Sequence, residues 1–228
     1  MAAVTGTQDP PLRARLSRER VLHTALEYVD AHGLAALSMQ KLGAELGVRG
    51  MSLYNYVEGK DALLDGIVEV MSQELETPPA GLHWRDALCF HASSIRGQIR
   101  RHPAAAPLLV SRAVMPTRRL EVLSACQQLL LDAGFDEDKA IEALRTVVVY
   151  AHGYALAEVC YGMSTRGSGW PADELSRIRR VSEMVSREAP DHLLRIAMLF
   201  CGHCDMDDQF QTGLDLLVRG LESPASES

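Results

Sequence analysis

Two short stretches of the chain bring together side chains whose types and spacing suit chemistry or recognition. The first is Cys201-Gly202-His203-Cys204, the C-x-x-C spacing of dithiol oxidoreductases. Dithiol exchange needs its first cysteine as a stabilised thiolate at the N-terminus of a helix that follows a strand. Here IAMLF before it reads as the end of a helix, and DMDD after it supplies negative charge that raises a thiol's pKa. A thiol oxidoreductase, or a redox-responsive switch, is therefore the alternative reading and not the favoured one. Together with Asp205 these residues are too bunched for a typical structural zinc site, and no metal or other cofactor is expected. The second stretch is VRGMSLYNYVEGKDAL, Val48 to Leu63. Met51, Ser52, Tyr54, Asn55 and Tyr56 mix soft apolar, aromatic and polar groups within two helical turns. A core helix would instead show apolar residues every three or four positions. The mixture suits a surface that meets something partly charged and partly flat.

Composition bounds what such a surface can belong to. The chain has 228 residues, 47% apolar and 23% charged, which is ordinary for a globular protein with a sizeable core. Ala, Leu and Arg are frequent and aromatics are only 5%, so the expected fold class is all-α. No apolar run approaches the roughly eighteen residues of a membrane span. The N-terminal MAAVTGTQDPPLRAR lacks the apolar stretch of a secretory signal, so a cytoplasmic location is expected. The five cysteines, Cys89, Cys126, Cys160, Cys201 and Cys204, are odd in number and mostly far apart, which argues against a disulfide framework. The net charge of −7 disfavours nucleic acid at first sight. Yet from Leu12 to Lys60 seven Lys/Arg stand against five Asp/Glu, a net of +2, so a mildly basic end sits on an acidic body.

The elements follow from periodicity and punctuation. Residues 1–15 and 223–228 have the composition of a disordered arm and tail. Ser17 caps a helix in which Val21, Leu22, Ala25, Leu26 and Val29 share one face and Gly33 ends it. Ser38 caps a second, short helix ended by Gly47. A third short helix follows from Arg49 or Gly50 to Tyr56. Gly59 opens a fourth, with Leu63, Leu64, Ile67, Val68 and Met71 on one side. The segment 77–83, TPPAGLH, reads as a boundary. Beyond it, helices are expected over 84–101, 104–112, 117–133, 136–162, 172–188, 191–201 and 206–221. The expected domains are 16–60, a connecting helix 61–76, and 77–222.

Residues 38–56, SMQKLGAELGVRGMSLYNY, have the form of a helix-turn-helix. Ala44 is expected where the helices cross, with Leu42, Leu46, Val48 and Leu53 packed inside and Gly47 in the left-handed turn. On these residues, and on A-x-x-L-G-V, S-L-Y-x-Y and K-x-A-L-L in particular, the stretch 17–71 resembles the DNA-binding domain of the TetR family of bacterial transcriptional regulators. GFDEDKAIEALRTVVVYAHGYALAE and FQTGLDLLVRGLE resemble the C-terminal domain of its tetracycline-repressor branch, over fewer residues.

The resemblance implies roles. Ser38 would hold a phosphate at a helix start, and Gln40 would reach a phosphate or a base. Arg49 would read guanine bidentately, Met51 would touch a thymine methyl, and Gly50 and Ser52 would complete the start of the recognition helix, Gly50 by allowing close approach. Tyr54 and Tyr56 would reach the DNA backbone, Asn55 would read adenine or bond a phosphate, and Lys60 would contact a phosphate. Tyr54 half-buried against the fourth helix is the competing reading.

It implies, further, a homodimer on a palindromic operator, released by a small-molecule effector. The dimer bundle would come from 136–162 and 206–221, with Phe210, Leu214, Leu217 and Leu221 on its seam. Intrachain core is the competing role for these four. Candidate effector-lining residues are His91, Ile95, Arg112, Cys126 and Leu130, followed by Val147, Tyr150, His152, Tyr154 and Tyr161. The segment HPAAAPLLVSRAVMPTRR offers only His102 where the tetracycline repressor holds its drug–magnesium complex. An apolar or aromatic effector without a metal is therefore expected, and no catalytic residue.

Overall fold

The computed structural model describes residues 16–160, 190–201 and 205–221, with residues 176, 179, 182, 183 and 185 between them. The arm 1–15, the tail 223–228, most of the helix expected over 172–188, Tyr161 and residues 202–204 lie outside the described residues. All regular elements among the described residues are helical, and none of these helices is long and apolar enough to cross a membrane.

The N-terminal end forms as its punctuation dictates. Helix α1 is Arg18–His32, and the Ser17 hydroxyl accepts from the Arg20 N–H at its start. Helix α2 is Met39–Glu45, capped in the same way by Ser38, which accepts from the Lys41 N–H. Such caps satisfy donors that the first helical turn leaves open. The third element, Gly50–Asn55, is a 3-10 helix and not the ordinary helix expected. Its N-terminal half is wedged against α2, and Tyr56 and Val57 both bond back to the Leu53 carbonyl, ending it after six residues. Helix α3, Lys60–Gln73, buries Leu63, Ile67, Val68 and Met71. An added methyl on its Gly66 would overlap the Leu22 side chain of α1, so Leu22 packs directly on the α3 backbone there.

The body consists of α4 (Trp84–Arg101), α5 (Leu108–Ser111), α6 (Thr117–Asp132), α7 (Glu137–Cys160), α8 (Asp191–Cys201) and α9 (Met206–Gly220). The 104–112 expectation shrinks to one turn, because residues 103–107 are turns around Pro103 and Pro107. Leu88, Ile95 and Ile99 of α4, Val122 and Leu130 of α6, and Leu144 and Val147 of α7 belong to one buried cluster, which is continuous with that of α1–α3. A buried ion pair ties α4 to α7. Arg96 Nε and Nη2 each donate to Glu158 over 2.8 Å, and Nη2 lies 2.7 Å from Asp207 of α9. The Arg96 guanidinium also lies over the Phe210 ring, 4.7 Å from its centroid.

Phe210 and Leu214 are fully buried in this intrachain core. Phe210 stacks on Tyr150, and Tyr150 and Tyr154 donate from their hydroxyls to the Phe210 and Met206 carbonyls, 2.9 Å each. This corrects the expected seam, since neither Phe210 nor Leu214 has surface left for a partner. Leu217 and Leu221 are half-buried.

Arg96 is the near partner of Glu158, whose next cation, Arg100, is 3.9 Å away. Removing one partner of a buried pair costs about 3–5 kcal/mol, whereas replacing both by apolar groups costs far less. Arg96→Met should therefore lower the stability read by urea unfolding at fixed protein concentration by about 3 kcal/mol, and adding Glu158→Leu should restore most of it. A double variant no more stable than the single one would show that the pair is not the source.

Candidate functional site

The helix-turn-helix is assembled backbone to backbone. A Cβ added to Gly43 would lie 2.7 Å from the Gly50 nitrogen and 2.9 Å from the Val48 carbonyl oxygen, and one added to Gly50 would lie 2.9 Å from the Met39 carbonyl oxygen. The crossing point is therefore Gly43 and Gly50, and Ala44 is exposed. Gly50 is corrected with it: its missing side chain makes room for α2, not for a base or phosphate. Gly47 has φ +69, the left-handed turn that favours glycine, and the Val48 N–H bonds to the Gly43 carbonyl.

This close crossing turns one set of side chains outward. Gln40, Arg49, Asn55 and Lys60 are exposed, and Ser38, Ser52 and Tyr56 are partly buried. Met51 is 78% and Tyr54 49% exposed, so both offer side-chain surface to a partner. Leu53, between them, is fully buried. An exposed methionine and tyrosine beside an arginine and an asparagine make a surface able to meet thymine methyls, base edges and phosphates. The Ser38 oxygen is used as the cap acceptor, which leaves its proton for a phosphate. Gly43 was missed by sequence reasoning because an alanine beside it also satisfies the small-residue rule.

The second site lies where α4, α6 and α7 pack on one another. His91, Ile95, Cys126, Leu130, Val147 and His152 are all buried there. His152 Nδ1 is 2.8 Å from the Val148 carbonyl oxygen and therefore carries the proton, so its Nε2 accepts from Arg119 Nη2, also 2.8 Å away. Arg119 was not among the expected residues, since nothing in its sequence setting separates it from Arg118. Arg118 instead donates to the Leu75 carbonyl. His91 Nδ1 is buried and has no hydrogen-bond partner. Burial, then the charges of His152 and Arg119, push His91 down from 6.5 to about 4. Burial likewise lowers His152 and Arg119.

Three expected lining residues belong elsewhere. Arg112 sits at the surface and grips α3, with Nε 2.6 Å from Asp65 and Nη1 2.9 Å from Asp61. Tyr150 and Tyr154 commit their hydroxyls to α9, as described. Among the cysteines, burial pushes the Cys126 thiol up to about 12 and raises Cys89, which keeps both as inert thiols. A helix, α8, runs into Cys201, which is the opposite end from the one that stabilises a thiolate.

A short α-helix crossed tightly by an outward-facing recognition element, and joined by α3 to a helical body, defines a helix-turn-helix DNA-binding regulator. A family model described as "Tetracyclin repressor-like, C-terminal domain" matches residues 77–224. The chain is 30% identical over 212 residues to tetracycline repressor protein class C of Escherichia coli, with 91% of each covered. It is 31% identical over 157 residues to the HTH-type transcriptional repressor DrrR1 of Streptomyces coeruleorubidus, covering 68% of this chain and 58% of that relative's length. In structure it is similar to the Streptomyces coelicolor TetR family protein ActR in complex with actinorhodin, at 25% identity and TM-score 0.75, covering 94% of this chain and all of that one. The chain belongs to the TetR family of transcriptional regulators.

Two outcomes are expected. Gly43→Ala has only backbone to displace, so it should abolish DNA binding while the melting transition of the body persists; retained binding would mean that the crossing tolerates a methyl. His91 binds no proton in the folded chain until about pH 4, whereas the unfolded chain binds one near pH 6.5. Stability should therefore fall as pH falls through that window, by about 3 kcal/mol from this group. In His91→Leu the pH dependence of the unfolding midpoint should flatten there, and an unchanged slope would exclude His91 as its cause.

Proposed function

We propose that this regulator is a repressor that binds a palindromic operator as a homodimer and is released by a small-molecule effector bound between α4, α6 and α7. The single observation that carries the DNA-binding half is the outward set Arg49, Met51, Tyr54 and Asn55, exposed on an element whose inner side is fully occupied by α2. In this reading Arg49, Met51 and Asn55 specify sequence. Ser38, Gln40, Ser52, Tyr54, Tyr56 and Lys60 position the head on the backbone.

The dimer reading is supported by apolar groups that the single chain leaves in solvent on α7 and α9. Val149 and Leu216 are each 66% exposed. Gly153 and Gly220 would accept a methyl without meeting anything, so a partner helix could approach them closely. Leu217 and Leu221 stay in the proposed seam at its edge. The effector reading is supported by the polar groups buried between α4, α6 and α7, and by the position of α3. The domain division 16–60, 61–76 and 77–222 then separates DNA reading, coupling and sensing.

Selection of bound sequences from a random DNA pool, at a salt concentration near physiological, should enrich a palindrome. On that palindrome, Arg49→Ala should relax base preference at one position of each half-site, a loss worth about 1–3 kcal/mol of discrimination. Lys60→Ala should weaken binding about equally on all sequences and make the salt dependence shallower. Equal losses from both variants on every sequence would sink this division of labour, and no enrichment at all would sink the sequence-specific reading.

A further inference from the structure

Arg18 is held by Glu69, Arg96 by Glu158 and Asp207, and Arg112 by Asp65 and Asp61. Arg119 differs from these. Its guanidinium is largely withdrawn from water, and its one hydrogen-bond partner is the neutral His152 ring. No carboxylate among the described residues pairs with it. Beside it, the buried His91 Nδ1 has no partner at all. Three groups that carry or attract positive charge thus face one another at the junction of α4, α6 and α7, and the described residues supply no anion to offset them.

That arrangement is costly. A buried charge without a partner loses hydration worth several kcal/mol, and chains ordinarily satisfy or neutralise such groups. On the same faces stand Leu88 and Ile95 on α4, one turn to either side of His91, and Val122 and Cys126 on α6, one and two turns from Arg119, all buried. His152 is locked in one tautomer by Val148, so it can only accept from Arg119 and cannot neutralise it. Arg119 keeps its remaining N–H donors, in a planar fork suited to a carboxylate or phenolate.

We propose that Arg119, oriented by His152 and flanked by His91, is the anion-recognising end of the effector site, and that the effector is an aromatic or apolar molecule bearing one acidic group, a carboxylate or an acidic phenol. The proposal rests on the reading above that the body binds a small effector, and it narrows that ligand's class. The acid forms the charge-assisted contact with Arg119, His91 supplies a further hydrogen bond, and the apolar body lies against α4 and α6.

The test compares 2-naphthoate with 2-naphthamide, which have the same ring system and differ in charge, by isothermal titration of the full chain. The carboxylate should bind at least tenfold tighter than the amide. Arg119→Met should abolish that preference and should keep or raise the melting temperature, since it removes a buried cation that no carboxylate among the described residues offsets. Arg119→Lys should retain part of the preference. Equal affinities, a preference that survives Arg119→Met, or binding of neither compound would overturn the proposal. Release of the selected palindrome by 2-naphthoate is read separately. Preference for the acid without DNA release would uphold the anion site and overturn the effector reading, whereas DNA release by both compounds alike would uphold the effector reading and overturn the anion site.

Discussion

Helix α3 is packed on two sides at once, and the rest of the molecule is arranged around that fact. On one side Gly66 lets α1 sit directly on it through Leu22. On the other it is held by groups from the body: Arg112 on Asp61 and Asp65, the Gln98 amide on the Met71 carbonyl, and Arg101 and His102 on Glu74. His102 reaches Asp30 of α1 with its other nitrogen, 2.6 Å away, so it bridges the end of α1 to the end of α3. The head has no surface on which to slide independently of α3. A displacement of α3 would carry α1 with it, because densely packed interfaces do not deform gradually.

The body handles its buried charge in two contrasting ways. Arg96 and Glu158 form a closed arrangement, with two parallel hydrogen bonds, a second carboxylate from Asp207 and an aromatic ring beneath. It ties α4, α7 and α9 together. Arg119 and the two histidines are open by comparison, since their mutual contacts use one acceptor and leave donors over. Both sets draw on α4 and α7, the second with Arg119 added from α6.

Much of this was legible in the sequence, for reasons that differ from residue to residue. The helix ends at Gly33 and Gly47 and the starts at Ser17 and Ser38 are local events decided by one side chain or one backbone angle, and they stand as read. The buried stripe of α1 follows from its spacing. The outward residues of the recognition element were legible through the family pattern, but not the 3-10 winding, which depends on how tightly Gly50 meets α2. Helical spacing likewise fails to say which neighbour an apolar stripe faces: Phe210 and Leu214 have the register of a seam, yet Tyr150 and Tyr154 cover them from within the chain. Arg112, Arg118 and Arg119 show the same limit for charges. Within eight residues one grips α3, one caps a carbonyl and one is buried beside His152, and only tertiary placement separates them.

The winding of the recognition element bears on how its surface is built. A 3-10 helix has three residues per turn, so side chains three apart stand directly above one another instead of spiralling round the axis. Gly50 and Leu53 make the inward column. Met51 and Tyr54 make a second, and Ser52 and Asn55 a third. The outward face is therefore a straight-sided ridge of paired side chains, with the members of each pair about 6 Å apart along the axis. Neighbours in sequence lie on different sides of that ridge. A bulkier side chain at Met51 would press on Tyr54 and leave Asn55 untouched.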